Sequence, residues 1–318
     1  MVRKHFFSLV CWAFFSVGYS VAAEQVPTPT DPNARFYIQL SDGGLSNFFR
    51  YHPMRMPLIS HHRAGPAPGY PENAIETMDN ALRYGFGLIE VDVAQLMDGR
   101  LILMHDDTVD RTTTGTGSIS RMTQKDIAAL YLVDNEGIET DYRVPHLESV
   151  LRWAKQKAIL TLDIKPGTDF TRVAKAVRTA EAEDYTVAIT YSVEQAQKFH
   201  KIAPEMMLTI TMYDTADIAT VERSGINPAK IIAWTGTDQK STTFYKEIHK
   251  RGWRVISGTF GLDKELARTG QNEQYLSLYA NGIDIIATDR FWAIQQQIFN
   301  PNHFYFVRQN APAARSQQ

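Results

Sequence analysis

The sequence predicts an α/β protein: a single (β/α)8 barrel carrying one irregular or extra strand. Three observations carry this. Nine short β-rich runs recur along the chain, and from the fourth onward most are separated by stretches of helical spacing or composition. Strand–helix alternation of that length specifies a parallel sheet, open or closed. The 318 residues show no internal repeat and no composition shift between the two ends, and one such barrel takes about 250 residues. Ionisable residues also gather at the C-terminal ends of four runs, where such a barrel places its chemistry. An open doubly wound sheet gathers ligands at the same ends, but only where strand order reverses. Four contributing strands suit closure better.

Residues 1–23, MVRKHFFSLVCWAFFSVGYSVAA, begin with the positive Arg3 and Lys4. An apolar run from Phe6 to about Val17 follows, then the small-residue pattern Val21-Ala22-Ala23. This is the layout of a secretory signal peptide, and the run falls short of the ~20 residues of a membrane span. The expectation is export, periplasmic or secreted, with no stable membrane insertion after cleavage. Cys11 is the single cysteine, so no disulfide within the chain and no thiol-based zinc site is expected. Residues 24–57 read as a linker and strap, opening with the Pro/Thr/Asp-rich EQVPTPTDPNAR. The barrel is expected over 58–300 and a frayed tail over 301–318.

The nine runs are Leu58–His62, Leu88–Val93, Leu101–His105, Ile159–Ile164, Thr186–Tyr191, Leu208–Met212, Ile231–Trp234, Val255–Ser257 and Ile283–Ala287. A barrel needs eight. The Asp98-Gly99 turn joins the second and third too tightly for a crossover helix, so one run is surplus or misread. After the first run, Asn73 reads as a helix N-cap, with Glu76 three residues on as in a capping box. Ala74, Met78, Ala81, Leu82 and Gly85 then give a helix-spaced packing face. Thr171–Ala182 and Phe244–Arg251 read as later helices.

Alternate residues of a strand face opposite ways. In the second run Ile89, Val91 and Val93 share one face, Glu90 and Asp92 the other. The fourth run repeats this, with Thr161, Asp163 and Lys165 opposite Leu160, Leu162 and Ile164. His62 and His105 end the first and third runs. His61 has the opposite parity to His62 and reads as structural. Carboxylates side by side in an apolar strand need a compensating cation or donor. Glu90, Asp92 and Asp163 offer hard oxygen ligands, which favour Ca²⁺ or Mg²⁺ over zinc. Arg63 and Lys165 suit phosphate oxygens. Two histidines can act as base and acid in one displacement. A net charge of −2 without a basic stripe argues against a nucleic-acid partner. Neither a G-x-S-x-G elbow nor a Walker A loop is present. A phosphodiester, attacked by a hydroxyl or water, is the natural substrate class.

His62-Arg63, Pro71-Glu72-Asn73, Ile89 through Val93, Asp98-Gly99, His105-Asp106 and Asp110 through Thr113 with Gly115 and Gly117 follow in order. Val144 through Glu148, Leu162 through Lys165, and Gly282-Ile283-Asp284 with Thr288-Asp289 come after them. As an ordered set they resemble the glycerophosphodiester phosphodiesterase family, densely over about 58–165 and thinly over 230–290. The resemblance implies a TIM-barrel phosphoric diester hydrolase that splits glycerophosphodiesters into sn-glycerol 3-phosphate and an alcohol. It implies His62 and His105 as the acid/base pair and a divalent metal on Glu90, Asp92 and Asp163. Arg63 and Lys165 would lie near the phosphate, and Glu72 would be either a metal ligand or the partner that orients Arg63. The substrate's own glycerol hydroxyl would attack first, and water would open the resulting cyclic phosphate. Two positions depart from the pattern: Ala64 stands where glycine is usual, and Asp163 where glutamate is commoner. A lysophospholipase D or sphingomyelinase D-like activity on lipids is the alternative, and an exposed apolar patch at the mouth would favour it.

Overall fold

The computed structural model describes residues 25–29, 31–40 and 43–298. The expected signal segment (1–23) and tail (301–318) lie outside the described residues. The strands in chain order are β1 (Leu58–His61), β2 (Gly87–Gln95), β3 (Leu101–Leu103), β4 (Tyr131–Val133), β5 (Glu139–Arg143) and β6 (Leu160–Ile164). β7 (Thr186–Thr190), β8 (Met207–Thr211), β9 (Ile231–Trp234), β10 (Val255–Gly258) and β11 (Ile285–Thr288) follow. Eight of them are parallel neighbours in the cycle β1-β2-β6-β7-β8-β9-β10-β11, and β11 returns to β1. The sheet is therefore a closed (β/α)8 barrel.

The surplus run is β3. It pairs antiparallel with the far end of β2, Val93 opposite Leu103 and Gln95 opposite Leu101. β3 and the antiparallel hairpin of β4 and β5 belong to an insertion between β2 and the helix Leu147–Ala154. The insertion has its own apolar core, with Leu96, Met104, Val109, Ile127 and Leu132 buried. The sequence reading missed the hairpin: β5, Glu139–Arg143, exposes three of its five residues and lacks an apolar face.

Parity organises the interior. Leu58, Leu88, Ile159, Val187, Met207, Ile232, Ile256 and Ile285 form one buried apolar layer, drawn from all eight barrel strands or the residue just before one. Leu45 and Phe49, at the short helix Gly44–Phe48, close that layer from the N-terminal end. Burying two such side chains contributes about 1.5–3 kcal/mol each. The strap is tied on by Phe36 N–H to Leu82 O (2.9 Å) and Ile38 N–H to Lys157 O (3.0 Å).

Two local expectations are corrected. Asn73 is not an N-cap: the helix runs Ile75–Ala81 with Ala74 at the cap position and no side-chain cap bond. Asn73 sits in the left-handed region (φ 61), which asparagine tolerates better than most residues. The third run stops at Leu103, so His105 lies on a loop rather than a strand end.

Candidate active site

The site stands on the interior parity. Two steps beyond Leu88 is Glu90 and four beyond is Asp92; β6 brings Asp163 level with Asp92. Oxygens of Glu90, Asp92 and Asp163 lie within 4.8 Å of one another, and all three residues are buried. Burial, then the Asp92 charge, pushes the Glu90 carboxyl up to about 8. Lys165 Nζ lies 2.6 Å from Asp92 Oδ1 and 2.7 Å from Asp163 Oδ2, and the Tyr191 hydroxyl donates to Asp163 Oδ1 at 2.7 Å. Lys165, and Arg63 at 4.0 Å from Asp92, face two of the three carboxylates, and the raised pKa of Glu90 marks the third as a desolvated acid without a cation of its own among the described residues. With only hard oxygen donors, this cluster fits a divalent cation of the Ca²⁺ or Mg²⁺ type.

The chain leaves β1 in a tight turn. Arg63 (φ 50) and Ala64 (φ 73) are left-handed, an uncommon conformation for residues other than glycine. At Ala64 this explains why glycine is usual there. The turn aims the Arg63 N–H at Glu90 Oε2, 2.6 Å away. Its guanidinium reaches Glu72 Oε2 at 3.2 Å and lies 4.0 Å from Asp92 Oδ2. Glu72 does not join the carboxylate cluster. Arg111 takes both its oxygens, Nη1 to Oε2 and Nη2 to Oε1, each at 2.8 Å.

Each histidine has a carboxylate on Nδ1. His62 Nδ1 is 2.7 Å from Asp289 Oδ1, and His105 Nδ1 is 2.7 Å from Asp106 Oδ1. Burial opposes charge on His62, but the Asp289 hydrogen bond and the Glu90 and Asp289 charges outweigh it and raise its pKa. Buried Asp263 supports this arm by accepting the Asp289 N–H at 2.9 Å. His61, one residue earlier, is fully buried against Phe291 with ring centroids 5.0 Å apart.

His62 borders two cavities. One, of about 220 Å³, enters the barrel beside Glu90 and Asp163 and is walled by Trp234 and Phe260. Thr161 and Thr209 also line it, and their buried hydroxyls lack partners among the described residues. The other, of about 470 Å³, is lined by Arg63, Glu72 and Arg111 and by Pro66 and Pro68 of the 65–70 loop. The Gly115–Gly117 segment lies in a loop, closed by Val109 N–H on Gly117 O at 3.0 Å.

The structure thus gathers Glu90, Asp92, Asp163, Lys165, Arg63 and His62 directly. His105 joins through Asp106, Arg111 and Glu72. The sequence reading gave no role to Asp289, Asp106, Arg111, Tyr191 or the Asn73 amide. That amide donates to Asp92 Oδ2 at 2.7 Å and accepts the Asp92 N–H at 2.9 Å. Only Asp289 and Tyr191 carried a local signal, since each has the parity of its strand's inward residues.

The glycerophosphoryl diester phosphodiesterase family model matches residues 62–291. A glycerophosphodiester phosphodiesterase of Bacillus altitudinis is 27% identical, over 54% of this chain and 76% of its own. The fold is similar to the crystal structure of a glycerophosphoryl diester phosphodiesterase from Parabacteroides distasonis, with TM-score 0.77 and 31% identity over 89% of this chain and 97% of that one. A phosphodiesterase of Oleispira antarctica, solved in complex with the product sn-glycerol-3-phosphate, shares the fold with TM-score 0.58 and 20% identity over 76% of this chain and 96% of its own.

Proposed function

The chain belongs to the glycerophosphoryl diester phosphodiesterase family and is a phosphoric diester hydrolase; from that premise we propose that it cleaves glycerophosphodiesters to sn-glycerol 3-phosphate and an alcohol, with a divalent cation and a histidine pair. The observation that carries this is the buried Glu90–Asp92–Asp163 cluster beside His62 and Arg63.

In this reading Glu90, Asp92 and Asp163 hold Ca²⁺ or Mg²⁺, which supplies positive charge to the phosphate oxygens. Arg63 adds hydrogen-bond donors to the phosphate and Lys165 adds charge at the same end of the barrel. His62 and His105 have Nδ1 engaged, leaving each Nε2 to carry a proton. One takes the proton of the attacking hydroxyl, the substrate's own or later that of water. The other delivers a proton to the leaving oxygen. Glycerol enters the 220 Å³ cavity, where its hydroxyls meet Thr161 and Thr209 and its carbons meet Trp234 and Phe260. Small substrates suit this mouth better than lipids. Among the described residues, the exposed large hydrophobics within two residues of the mouth ends of the barrel strands are Met97, Tyr191 and Tyr213.

The test is release of glycerol 3-phosphate from glycerophosphocholine, glycerophosphoethanolamine and glycerophosphoglycerol after EDTA, then with Ca²⁺ or Mg²⁺ restored. Metal-restored release from several head groups is expected. No release with either metal sinks the reading and turns the assay to lysophospholipids and sphingomyelin. We also propose export on the strength of residues 1–23. Cell fractionation and N-terminal sequencing of the mature chain test it; an intact N-terminus in the cytoplasm overturns it.

A further inference from the structure

We propose that Arg111 is a positioning residue that couples the two histidine loops, setting His105 through Asp106 and Arg63 through Glu72. The inference rests on the histidine mechanism proposed above.

One guanidinium spans two carboxylates. Arg111 Nε donates to Asp106 Oδ2 at 2.7 Å and Nη2 to Asp106 Oδ1 at 2.9 Å. Nη1 and Nη2 each donate to Glu72 at 2.8 Å. Asp106 Oδ1 is also the atom on His105 Nδ1, and Glu72 is also the carboxylate beside the Arg63 guanidinium. His105, Asp106, Arg111, Glu72 and Arg63 therefore form one unbroken chain of charge-assisted contacts. It runs from the insertion to the turn after β1, two segments that the backbone does not join.

Arg111 differs from an ordinary surface pair. Its own side chain is 46% exposed, but that of Glu72 is only 3% exposed. A carboxylate buried to that degree needs its partners kept in place. The planar fork of arginine engages both carboxylates at once, which the point charge of lysine does not reproduce. Side-chain hydrogen bonds tie the loop around it. Thr113 Oγ1 donates to Val109 O at 2.8 Å, and Thr112 Oγ1 lies 3.2 Å from Met104 Sδ. Among the causes of its shift, the Arg111 hydrogen bond is the largest in holding Asp106 well below the usual carboxylate range.

The experiment compares metal-loaded wild type with R111M, R111K, D106N, E72Q and H105A, measuring kcat and KM for glycerophosphocholine and the melting temperature. R111M should lower kcat by about 10²-fold, the cost of a displacement of about 1 Å, and raise KM as well. D106N should lower kcat alone, because it touches the His105 arm. E72Q should raise KM alone, because it touches the Arg63 arm. R111K should restore at most one of the two effects. R111M or R111K with wild-type kcat and KM overturns the proposal, as does R111K that restores both. For a variant with a lowered melting temperature, kcat is referred to the concentration of folded enzyme read from the thermal melt, because loss of folded enzyme lowers apparent kcat at unchanged KM; a raised KM in R111M or E72Q is not produced by such loss. If E72Q weakens the apparent affinity for Mg²⁺ and leaves KM unchanged, Glu72 is a metal ligand and its arm of the coupling fails. If H105A keeps full turnover, the histidine mechanism fails first. If H105A is inactive and R111M is not impaired, only the coupling fails.

Discussion

His61 and His62 are chain neighbours with opposite surroundings. His61 points out of the barrel, fully buried, and neither ring nitrogen has a hydrogen-bond partner among the described residues. Burial pushes its pKa down to about 3. The unfolded chain holds a proton below about 6.5 that the folded chain refuses, so stability is full above that pH and falls on acidification, by ~1.4 kcal/mol per pH unit. His61→Leu should flatten this part of the stability curve; denaturant melts at about pH 6, 5 and 4 would show it, and an unchanged slope would contradict it. His62 faces inward, and Asp289 raises its pKa against the pull of burial. Asp289→Asn should therefore move the limb of the pH–rate profile that reports His62 to lower pH. A limb that stays in place would detach Asp289 from His62. His62→Ala or His105→Ala should cost about 10²–10⁴-fold in turnover, with the circular dichroism spectrum unchanged. Wild-type turnover in both would remove the histidine mechanism.

At the scale of elements, β2 carries the largest burden. Its parity was legible: Ile89, Val91 and Val93 lie in the outer core, while Glu90 and Asp92 face in. The close packing beside it was not. A Cβ on Gly87 would come within 2.5 Å of His61 Nε2 and 2.9 Å of Ile59 Cγ1. Because His61 is fully buried, making way for that Cβ has to disturb the core, and Gly87→Ala should destabilise by about 1–3 kcal/mol. Thermal unfolding checks this, and an unaltered melting point would show that His61 can move. Asn73 was misread because a polar residue before a helix fits a cap and a tertiary clamp equally well locally. The decision rests on Asp92, 19 positions away, whose backbone and carboxylate both bind the amide. The β4–β5 hairpin escaped for a different reason: β4 is three residues long, and β5 alternates in burial through Thr140 and Tyr142 rather than through aliphatic side chains.

At the scale of the whole molecule, closure of the barrel converts eight separate strand ends into one mouth. The buried carboxylate cluster is a cost of the folded state that a bound cation would offset. Ca²⁺ or Mg²⁺ in hundredfold excess over Kd should stabilise the protein by ~2.7 kcal/mol. Asp163→Asn should weaken that gain, and a melting temperature indifferent to EDTA and to added metal would show that the cluster holds no ion. By itself the sequence determined the barrel class, the inward faces of β2 and β6, the acidic trio Glu90, Asp92 and Asp163, and His62 and Arg63 as candidates beside it. These follow from strand alternation and residue chemistry, which are local and survive without the fold. Only the tertiary structure decided that β3 is the surplus strand, that Asn73 clamps Asp92 and that Asp289 backs His62. It also decided that Arg111 gathers Glu72 and Asp106 onto one guanidinium. Apart from the β2–β3 hairpin and the Arg111–Asp106 pair, those contacts join separate segments of the chain, and their partners are chosen by how the loops close over the mouth, which no spacing within one segment encodes.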